Sequence, residues 1–231
     1  MTQRTEEFSE IGAAYHEQLA RGLRFTGEPA EYFAVARVGV TRRIAQEQGR
    51  NVRDVLDFGC GPGTTLPFLV AAFPGARLTG FEPAEGLRVI AREAAERNGA
   101  CVIDGGELRA ENAFDAIYCN GVFHHIARDI RTAVMRSIAR ALRPRGLVFV
   151  WENSPFNPGT RWVMSRVAFD RDADLLTPRA LRSLQRAADL ECVTTEFHFV
   201  FPRVLGALRM LEPMLRFAPL GGQYVAVARK R

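Results

Sequence analysis

Lysine is nearly absent from this 231-residue chain: Lys230 is the one lysine, and arginine supplies the rest of the 31 basic residues. The net charge is only +5, and the basic excess is spread over the last third of the chain, residues 151–231, without forming a stripe. Proteins that bind nucleic acids usually concentrate basic side chains on one face or along one helix. The charge distribution therefore argues against a nucleic-acid partner.

Long apolar runs are also missing. No run reaches the roughly 18 residues that a membrane-spanning helix requires. The opening MTQRTEEFSE is acidic, whereas a signal peptide would begin with basic residues followed by an apolar stretch. We therefore expect no integral membrane segment and a cytoplasmic location.

The cysteines form no recognisable pair. They stand at positions 60, 101, 119 and 192, and no two of them have C-x-x-C spacing. This spacing gives no support to a disulfide framework or a zinc site. We expect reduced, mostly buried thiols and no bound metal.

The composition is that of an ordinary globular protein, with 47% hydrophobic and 25% charged residues. Residues 1–50 show apolar positions at helical spacing, which predicts an N-terminal helical cap whose second helix ends at Gly49. Residues 51–231 are predicted to form the main domain.

Short apolar runs rich in β-forming residues begin after residue 50 and alternate with helix-like segments, one of them at 129–146. This alternation predicts parallel βαβ units and an α/β, doubly wound sheet. A late helix should begin with Thr177 as N-cap and Pro178 as its first residue, and Pro213 should interrupt any helix near it. The predicted strands are residues 54–58, 76–81, 100–103, 114–119, 146–151, 191–201 and 222–230.

The stretch VLDFGCGPGTT follows the first predicted strand and places three glycines at alternate positions from 59 to 63. Glycine allows unusual backbone angles and lets a ligand approach the N–H groups that open the next helix. The dinucleotide fingerprint G-x-G-x-x-G would need a glycine where the chain has Thr64. Asp57 would repel a pyrophosphate, so the loop favours a ligand with a positive amino or sulfonium group.

Further polar residues follow the next predicted strands. Glu82 ends the second strand, where a carboxylate can accept hydrogen bonds from both hydroxyls of a ribose. Asp104 and Gly105 follow the third strand and can meet an adenine edge, and the segment CNGVFHHI ends the fourth. Ligands of parallel sheets bind beyond the carboxyl ends of the strands, so these residues predict a site for a cationic nucleoside there.

Taken together, the segments VLDFGCGPGTT, LTGFEPAEGL, DGGEL, FDAIYCNGVFHHI and ALRPRGLVFV resemble the class I S-adenosylmethionine-dependent methyltransferases, particularly the bacterial small-molecule ones. The resemblance covers roughly residues 52–152. It implies a mostly parallel, Rossmann-like sheet of seven strands in which the last strand is antiparallel. It also implies S-adenosyl-L-methionine as methyl donor, with S-adenosyl-L-homocysteine as product.

The resemblance further implies which residues contact the cofactor. Tyr15, in the predicted cap, either closes over the cofactor or packs on the core. The remaining implied contacts are Asp57, Gly59, Cys60, Gly61 and Gly63 for the methionine portion, Glu82 for the ribose, Pro83, Asp104 and Gly105 for the adenine, and Asn120 and Val122 near the sulfonium.

His124 and His125 are the candidate catalytic residues. Methyl transfer is an in-line displacement, so positioning and desolvation supply much of the acceleration. A hydroxyl acceptor must also lose a proton, which a histidine can take near neutral pH. Adjacent residues that enter a helix point apart, so at most one of the two should serve, and positioning alone stays open. Glu152 and Asn153 are further candidates for the acceptor site.

Two segments, near 153–176 and 202–221, extend beyond a minimal fold of this kind and are expected to build the acceptor pocket. Their arginines either pair with an anionic acceptor or form a solvated face, and a dimer or membrane-surface contact stays open for residues 202–217. The aromatic residues expected to line the pocket are Trp162, Phe169, Phe199, Phe201 and Phe217.

The sequence thus predicts an S-adenosylmethionine-dependent methyltransferase that modifies a small-molecule acceptor in a biosynthetic pathway, with oxygen or carbon favoured over nitrogen. The N-P-P-[YF] signature of enzymes that methylate amino groups in nucleic acids and proteins does not follow the fourth strand, where the chain has CNGV. A non-methylating reaction such as a cyclisation, a non-catalytic partner subunit and a homodimer remain alternatives to test.

Overall fold

The fold is taken from a computed structural model, which describes residues 22–23, 26–103, 108–166 and 173–231. Three residues predicted to bind the cofactor, Tyr15, Asp104 and Gly105, lie outside the described residues, as does Phe169.

Seven strands form a single sheet. They are β1 (Asp54–Phe58), β2 (Arg77–Phe81), β3 (Cys101–Ile103), β4 (Phe114–Asn120), β5 (Leu142–Asn153), β6 (Leu190–His198) and β7 (Gln223–Lys230). Their order in the sheet is β3-β2-β1-β4-β5-β7-β6. Strands β1 to β5 pair in parallel, whereas β7 is antiparallel to both β5 and β6. The predicted seven-stranded, mostly parallel sheet with an antiparallel last strand is confirmed.

Helices connect most of these strands. The α-helices are α1 (Ala30–Glu47), α2 (Leu66–Ala72), α3 (Glu85–Arg97), α4 (Arg131–Ala141), α5 (Pro158–Met164), α6 (Pro178–Ala187) and α7 (Glu212–Leu215), and 3₁₀ helices cover Phe123–His125 and Arg203–Leu211. Helix α6 begins as predicted: Thr177 Oγ1 accepts a hydrogen bond from the Ala180 N–H at 3.2 Å, and Pro178 is the first helical residue.

Both faces of the sheet are buried, as expected for a doubly wound fold. Along β5, Leu147, Phe149 and Trp151 pack on the face that carries α1 and α2, while Val148 and Val150 pack on the face that carries α4 and α6. Side chains of a strand alternate between faces, so a continuous apolar run in β5 fills two cores at once.

The described part of the predicted cap packs directly on the sheet. Val38, Ile44 and Ala45 of α1 belong to the same core as β5, and the Trp151 Nε1–H donates to Thr41 Oγ1 at 3.2 Å. Helix α1 therefore supplies one wall at the carboxyl edge of the sheet.

Several predicted boundaries differ from the structure, among them the end of the strand predicted at 191–201, because β6 ends at His198. The predicted helix at 129–146 ends earlier, at Ala141, and β5 begins at Leu142. Pro144 has no N–H to donate and clashes with a preceding helical turn, so the helix cannot continue through it. Pro213 stands in the first turn of the short helix α7, directly after the 3₁₀ helix ends at Leu211.

The four cysteines are free; Cys60 and Cys119 are buried, whereas Cys101 is exposed and Cys192 is partly buried. In the part of the chain that the structure describes, no helix has both the length and the apolar character needed to cross a bilayer.

Candidate active site

A cavity of about 1640 Å³ opens at the carboxyl edge of the sheet. Strands β1 and β4 are neighbours, but the chain leaves them toward opposite sides of the sheet, and this switch point creates a crevice between the loops that follow them. The volume exceeds the roughly 300–1,000 Å³ of a pocket for one small ligand. The cavity can therefore hold two molecules side by side.

The three glycines after β1 have positive φ angles of 71°, 56° and 81°, but each meets different surroundings. A Cβ on Gly59 would lie 2.5 Å from Val122 Cγ2, and one on Gly63 would lie 3.2 Å from the Ala91 Cα of α3. A Cβ on Gly61 would meet nothing within 4 Å, and Gly61 lines the cavity. Gly59 and Gly63 allow close packing, while Gly61 keeps its backbone open to a ligand.

Glu82 is held in place by the glycine loop. Its Oε2 accepts from the Gly61 N–H and its Oε1 from the Ala84 N–H, both at 2.9 Å. Burial raises the pKa of this carboxyl, and the two N–H groups partly offset the effect. Glu82 and Pro83 both line the cavity, so the carboxylate is oriented before any ligand arrives.

Asp57 lies behind the loop, is 2% exposed, and its Oδ2 has no hydrogen-bond partner among the described residues. Burial and the nearby Glu82 raise its pKa to about 7, while Arg37 acts in the opposite direction. A buried carboxylate without a partner is costly and calls for a cation. An ionised Asp57 behind the glycine loop therefore favours positive charge nearby.

Arg37 was not identified from the sequence. It is almost fully buried on α1, where its Nε donates to Tyr118 Oη at 3.2 Å and its Nη1 to Gln223 Oε1 at 3.0 Å. Burial raises the pKa of Tyr118 to about 12, so the hydroxyl stays protonated. Arg37 lines the cavity and can receive an anionic group there. Its position on the buried stripe of α1, three residues after Ala34, is the signal that could have revealed it.

Cys60, Gly63 and Asp57 are not among the residues that line the cavity. The Cys60 side chain lies over Gly80 of β2, where an added Cβ would be 2.9 Å from the sulfur. Burial raises the pKa of this thiol well above its usual range, so it stays protonated. Any contact of Cys60 with a ligand must come from its backbone.

His124 forms a buried pair with Glu152. The His124 Nδ1 lies 2.5 Å from Glu152 Oε2, and the Phe123 N–H donates to Glu152 Oε1 at 2.9 Å. The two side chains are 2% and 0% exposed, yet both residues line the cavity. A carboxylate that holds one ring nitrogen fixes the orientation and tautomer of an imidazole, which is the arrangement of an oriented general base.

The remaining predicted residues lie around this pair. The His125 ring lies beside that of His124, tilted by 54° with ring centroids 4.1 Å apart, and it also lines the cavity. Asn120 ends β4, and Val122 packs on Gly59; both line the same space. The predicted residues that line one cavity are therefore Gly59, Gly61, Glu82, Pro83, Asn120, Val122, His124 and His125.

Aromatic side chains line the outer part of the cavity. The Phe33 and Phe199 rings meet edge to face at 5.0 Å, and Arg209 lies 4.7 Å above the Tyr32 ring. Arg209 also pairs with Glu28 at 2.9 Å, so its charge is neutralised within the wall. Trp162 and Phe201 line the cavity as predicted, whereas Phe217 is 62% exposed and does not.

Among the described residues, no three His, Cys, Asp or Glu side chains converge into a group that could hold a metal ion.

Comparison with known proteins connects this geometry to a family. Residues 56–148 match the family described as a methyltransferase domain. Trans-aconitate 2-methyltransferase of Enterobacter sp. (strain 638) is 26% identical over 121 residues, which are 52% of this chain and 47% of that protein. The chain thus spans about half the length of the trans-aconitate methyltransferases that it matches.

Solved structures share the fold at low sequence identity. A TehB-like S-adenosylmethionine-dependent methyltransferase from Corynebacterium glutamicum ATCC 13032 Kitasato superposes with a TM-score of 0.57 and 21% identity, covering 95% of this chain and 100% of that one. The [4+2]-cyclase SpnF superposes with a TM-score of 0.55 and 19% identity, covering 82% and 81%. In its sheet order, its glycine loop and the match over residues 56–148, the chain is similar to S-adenosylmethionine-dependent methyltransferases.

Proposed function

We propose that the protein transfers a methyl group to a hydroxyl oxygen of a small, neutral and largely apolar or aromatic acceptor. The family implies S-adenosylmethionine as cofactor, which supplies an electrophilic methyl group when bound. The observation that carries the proposal is the buried His124–Glu152 pair, which opens into the same cavity as the glycine loop and Glu82.

The residues present fit this cofactor at both of its ends. Asp57 and its unpartnered Oδ2 favour a positive amino or sulfonium group, and the Arg37 guanidinium can receive the carboxylate of the methionine portion. Gly61 leaves room for the methionine portion of the cofactor to approach the protein backbone, and Glu82 presents carboxylate oxygens to the ribose hydroxyls. We assign these four residues to cofactor binding.

His124 is the proposed general base. In the proposed arrangement the Nδ1–H of His124 donates to Glu152 Oε2, which places the imidazole lone pair on Nε2. That nitrogen can take the proton of an acceptor hydroxyl as the oxygen attacks. Glu152 then stabilises the imidazolium cation, which would be costly in a buried site without a counter-charge.

The aromatic wall indicates the acceptor class. Tyr32, Phe33 and Phe199 offer ring faces and edges, and Arg209 is already paired with Glu28. A tricarboxylate such as trans-aconitate, which the named relatives methylate, would need free cations in this wall. The wall favours a neutral phenol or another hydroxylated apolar molecule.

An acceptor panel tests this proposal. Purified protein is supplied with S-adenosylmethionine and a set of phenols, catechols and aliphatic alcohols, with trans-aconitate for comparison, and formation of S-adenosylhomocysteine is measured. We expect turnover with phenolic acceptors and none with trans-aconitate. Tight cofactor binding without turnover on any acceptor would contradict methyl transfer and favour a cyclase or a non-catalytic subunit. The cytoplasmic location and the biosynthetic pathway remain part of the proposal.

The base is tested with Glu152→Gln on the best acceptor. The glutamine oxygen can still accept from the Phe123 N–H, but its amide donates toward His124 Nδ1 and moves the histidine proton to Nε2. We expect kcat to fall by about 10²-fold or more with cofactor affinity unchanged. The exposed Glu191→Gln in β6 is the control. An unchanged kcat in Glu152→Gln would leave a mechanism by positioning alone.

A further inference from the structure

The outer face of residues 203–220, here called the apolar insertion, exposes hydrophobic side chains. Neither of its two helical stretches contains a buried residue. Eight of the thirteen large hydrophobic side chains that are exposed in the described chain lie in this segment. Val204, Met210 and Met214 are exposed by 87%, 81% and 82%. Monomeric proteins rarely leave such a patch to water, so this face is built to be covered.

Two charged groups of the apolar insertion, Arg209 and Glu212, point inward. Arg209 stacks on Tyr32 and pairs with Glu28, and its Nε donates to the Phe201 carbonyl at 3.1 Å. Glu212, the one acidic residue of the segment, accepts from the Phe201 N–H at 3.0 Å. This arrangement reverses the usual order of a solvated helix, in which charged groups face water and apolar groups face the core.

Positive charge surrounds the exposed apolar face. Arg203 and Arg216 form no ion pair with a carboxylate in the described part of the chain, and Arg216 lies 4.9 Å above the Phe217 ring. Helix α5 is tied to the end of the insertion because Asn157 Nδ2 donates to the Leu220 carbonyl at 2.8 Å. That helix also carries the exposed Arg161. Apolar groups rimmed by arginines complement an anionic bilayer surface.

The same surface borders the mouth of the cavity. Trp162 of α5, Pro202 at the start of the insertion and Arg209 within it all line the cavity. Trp162 is 39% exposed, so it reaches from the cavity wall to the outer surface. A molecule dissolved in the lipid could therefore pass from the covered face into the site.

We propose that the apolar insertion docks the protein on an anionic phospholipid bilayer, so that an amphipathic acceptor enters the cavity from the membrane. Docking itself is independent of methyl transfer, while entry of the acceptor rests on the proposed function.

A bilayer fits this face better than a second copy of the chain does. A two-fold dimer places the same patch of each protomer against itself. Both copies of Arg203 and Arg216 would then lie in one interface, without an exposed acidic residue of the insertion to offset them. Like charges in an interface oppose association, whereas anionic headgroups attract them.

Vesicle flotation tests the docking. The full chain is mixed with phosphatidylcholine vesicles that contain or lack phosphatidylglycerol, at low and high salt. We expect binding to the anionic vesicles that weakens with salt and is much lower on neutral ones. The double change Met210→Ser and Met214→Ser should lower binding about tenfold, since both side chains would insert into the interface. Val89→Ser, an exposed valine on α3, is the control and should bind like the wild type.

Substitutions of single arginines test the electrostatic component of docking. Arg216→Gln should lower binding to anionic vesicles about fivefold, and Arg179→Gln, an exposed arginine on α6, should not. Absence of vesicle binding, or binding that the methionine changes leave unaltered, overturns the proposal. So does a wild-type dimer in sedimentation that the methionine changes dissociate, because the face is then a homodimer interface. Calorimetry of S-adenosylmethionine on the same variants should match the wild type, which separates this test from that of the methyl-transfer site.

Discussion

The free energy of unfolding of the ligand-free protein should depend on pH through Asp57. Replacing Asp57 with asparagine should remove this contribution. The pKa of Asp57 is raised to about 7 by burial and by Glu82, whereas an unfolded chain ionises this group near its ordinary value of about 4. A raised pKa favours folding while the group is protonated, and this contribution is lost as the pH rises through the folded pKa. Between pH 5 and pH 8 the loss is about 3 kcal/mol.

Urea unfolding of wild type and Asp57→Asn at pH 5 and pH 8 measures this contribution. The change in unfolding free energy with pH contains other titrating groups, but these are shared by the two proteins and cancel in the difference. We expect Asp57→Asn to gain about 3 kcal/mol on the wild type between pH 5 and pH 8. An identical pH dependence in both proteins would refute the buried, unpartnered carboxylate.

The same substitution should weaken cofactor binding. At pH 8 the ionised Asp57 is compensated by a cationic ligand, and the asparagine variant loses that attraction. Below pH 7 the wild type must release a proton on binding, so its affinity should fall toward about tenfold per pH unit. Calorimetry of S-adenosylmethionine across this range measures both effects. Asp57→Asn should thus be more stable than the wild type at pH 8 but bind the cofactor less tightly. This trade-off is expected when a buried carboxylate lacks a partner until the ligand binds.

Three further changes test separate parts of the structure. Gly61→Ala should abolish most cofactor binding while costing about 1 kcal/mol of unfolding free energy; Gly75→Ala, with the same open surroundings and a φ of 80°, should show only the stability loss. Arg37→Met should weaken S-adenosylhomocysteine binding about tenfold in calorimetry. Binding of 5′-methylthioadenosine, which lacks the amino-acid portion, should be unaffected. Equal losses of affinity for the two ligands would contradict the assignment of Arg37 to the carboxylate of the methionine portion. Tyr224→Phe should cost about 1 kcal/mol in urea unfolding, because the Tyr224 hydroxyl donates to the Leu176 carbonyl at 2.8 Å.

Features governed by local chemistry were predictable from the sequence. The Thr177 cap and the start of α6 follow from the preferences of the first helical turn. Glu82 and the glycine loop follow from the rule that parallel sheets bind ligands at the carboxyl ends of their strands, and both reach the cavity. Those signals each lie within a few residues of a strand end.

The His124–Glu152 pair needed the tertiary structure. The two residues are 28 positions apart, and they meet because β4 and β5 pair in a register that sets Asn120 beside Trp151. Both were candidates from the sequence, but their pairing was not. Arg37 was missed for a similar reason, since its partners Tyr118 and Gln223 come from β4 and β7.

The sequence pattern could not distinguish the roles of the three glycines. It also could not predict which charged side chains of the apolar insertion point inward. A Cβ at Gly59 would meet Val122 and one at Gly63 would meet α3, whereas one at Gly61 would meet nothing, although the spacing makes all three equivalent. In residues 203–220 the arginines and the glutamate are visible in the sequence, but the direction in which each points depends on the Phe201 backbone and on α1.

Binding of S-adenosylmethionine to Glu82→Ala tests the central claim most directly. Calorimetry of the wild type, of Glu82→Ala and of the exposed control Glu85→Ala on α3 compares a cavity carboxylate with a surface carboxylate only three positions away. The cofactor site described here predicts binding in the wild type and the control, and an affinity at least about tenfold weaker in Glu82→Ala, since hydrogen bonds to a charged group contribute about 1.5–3 kcal/mol. Equal affinity in all three proteins, or no binding by the wild type, would contradict it.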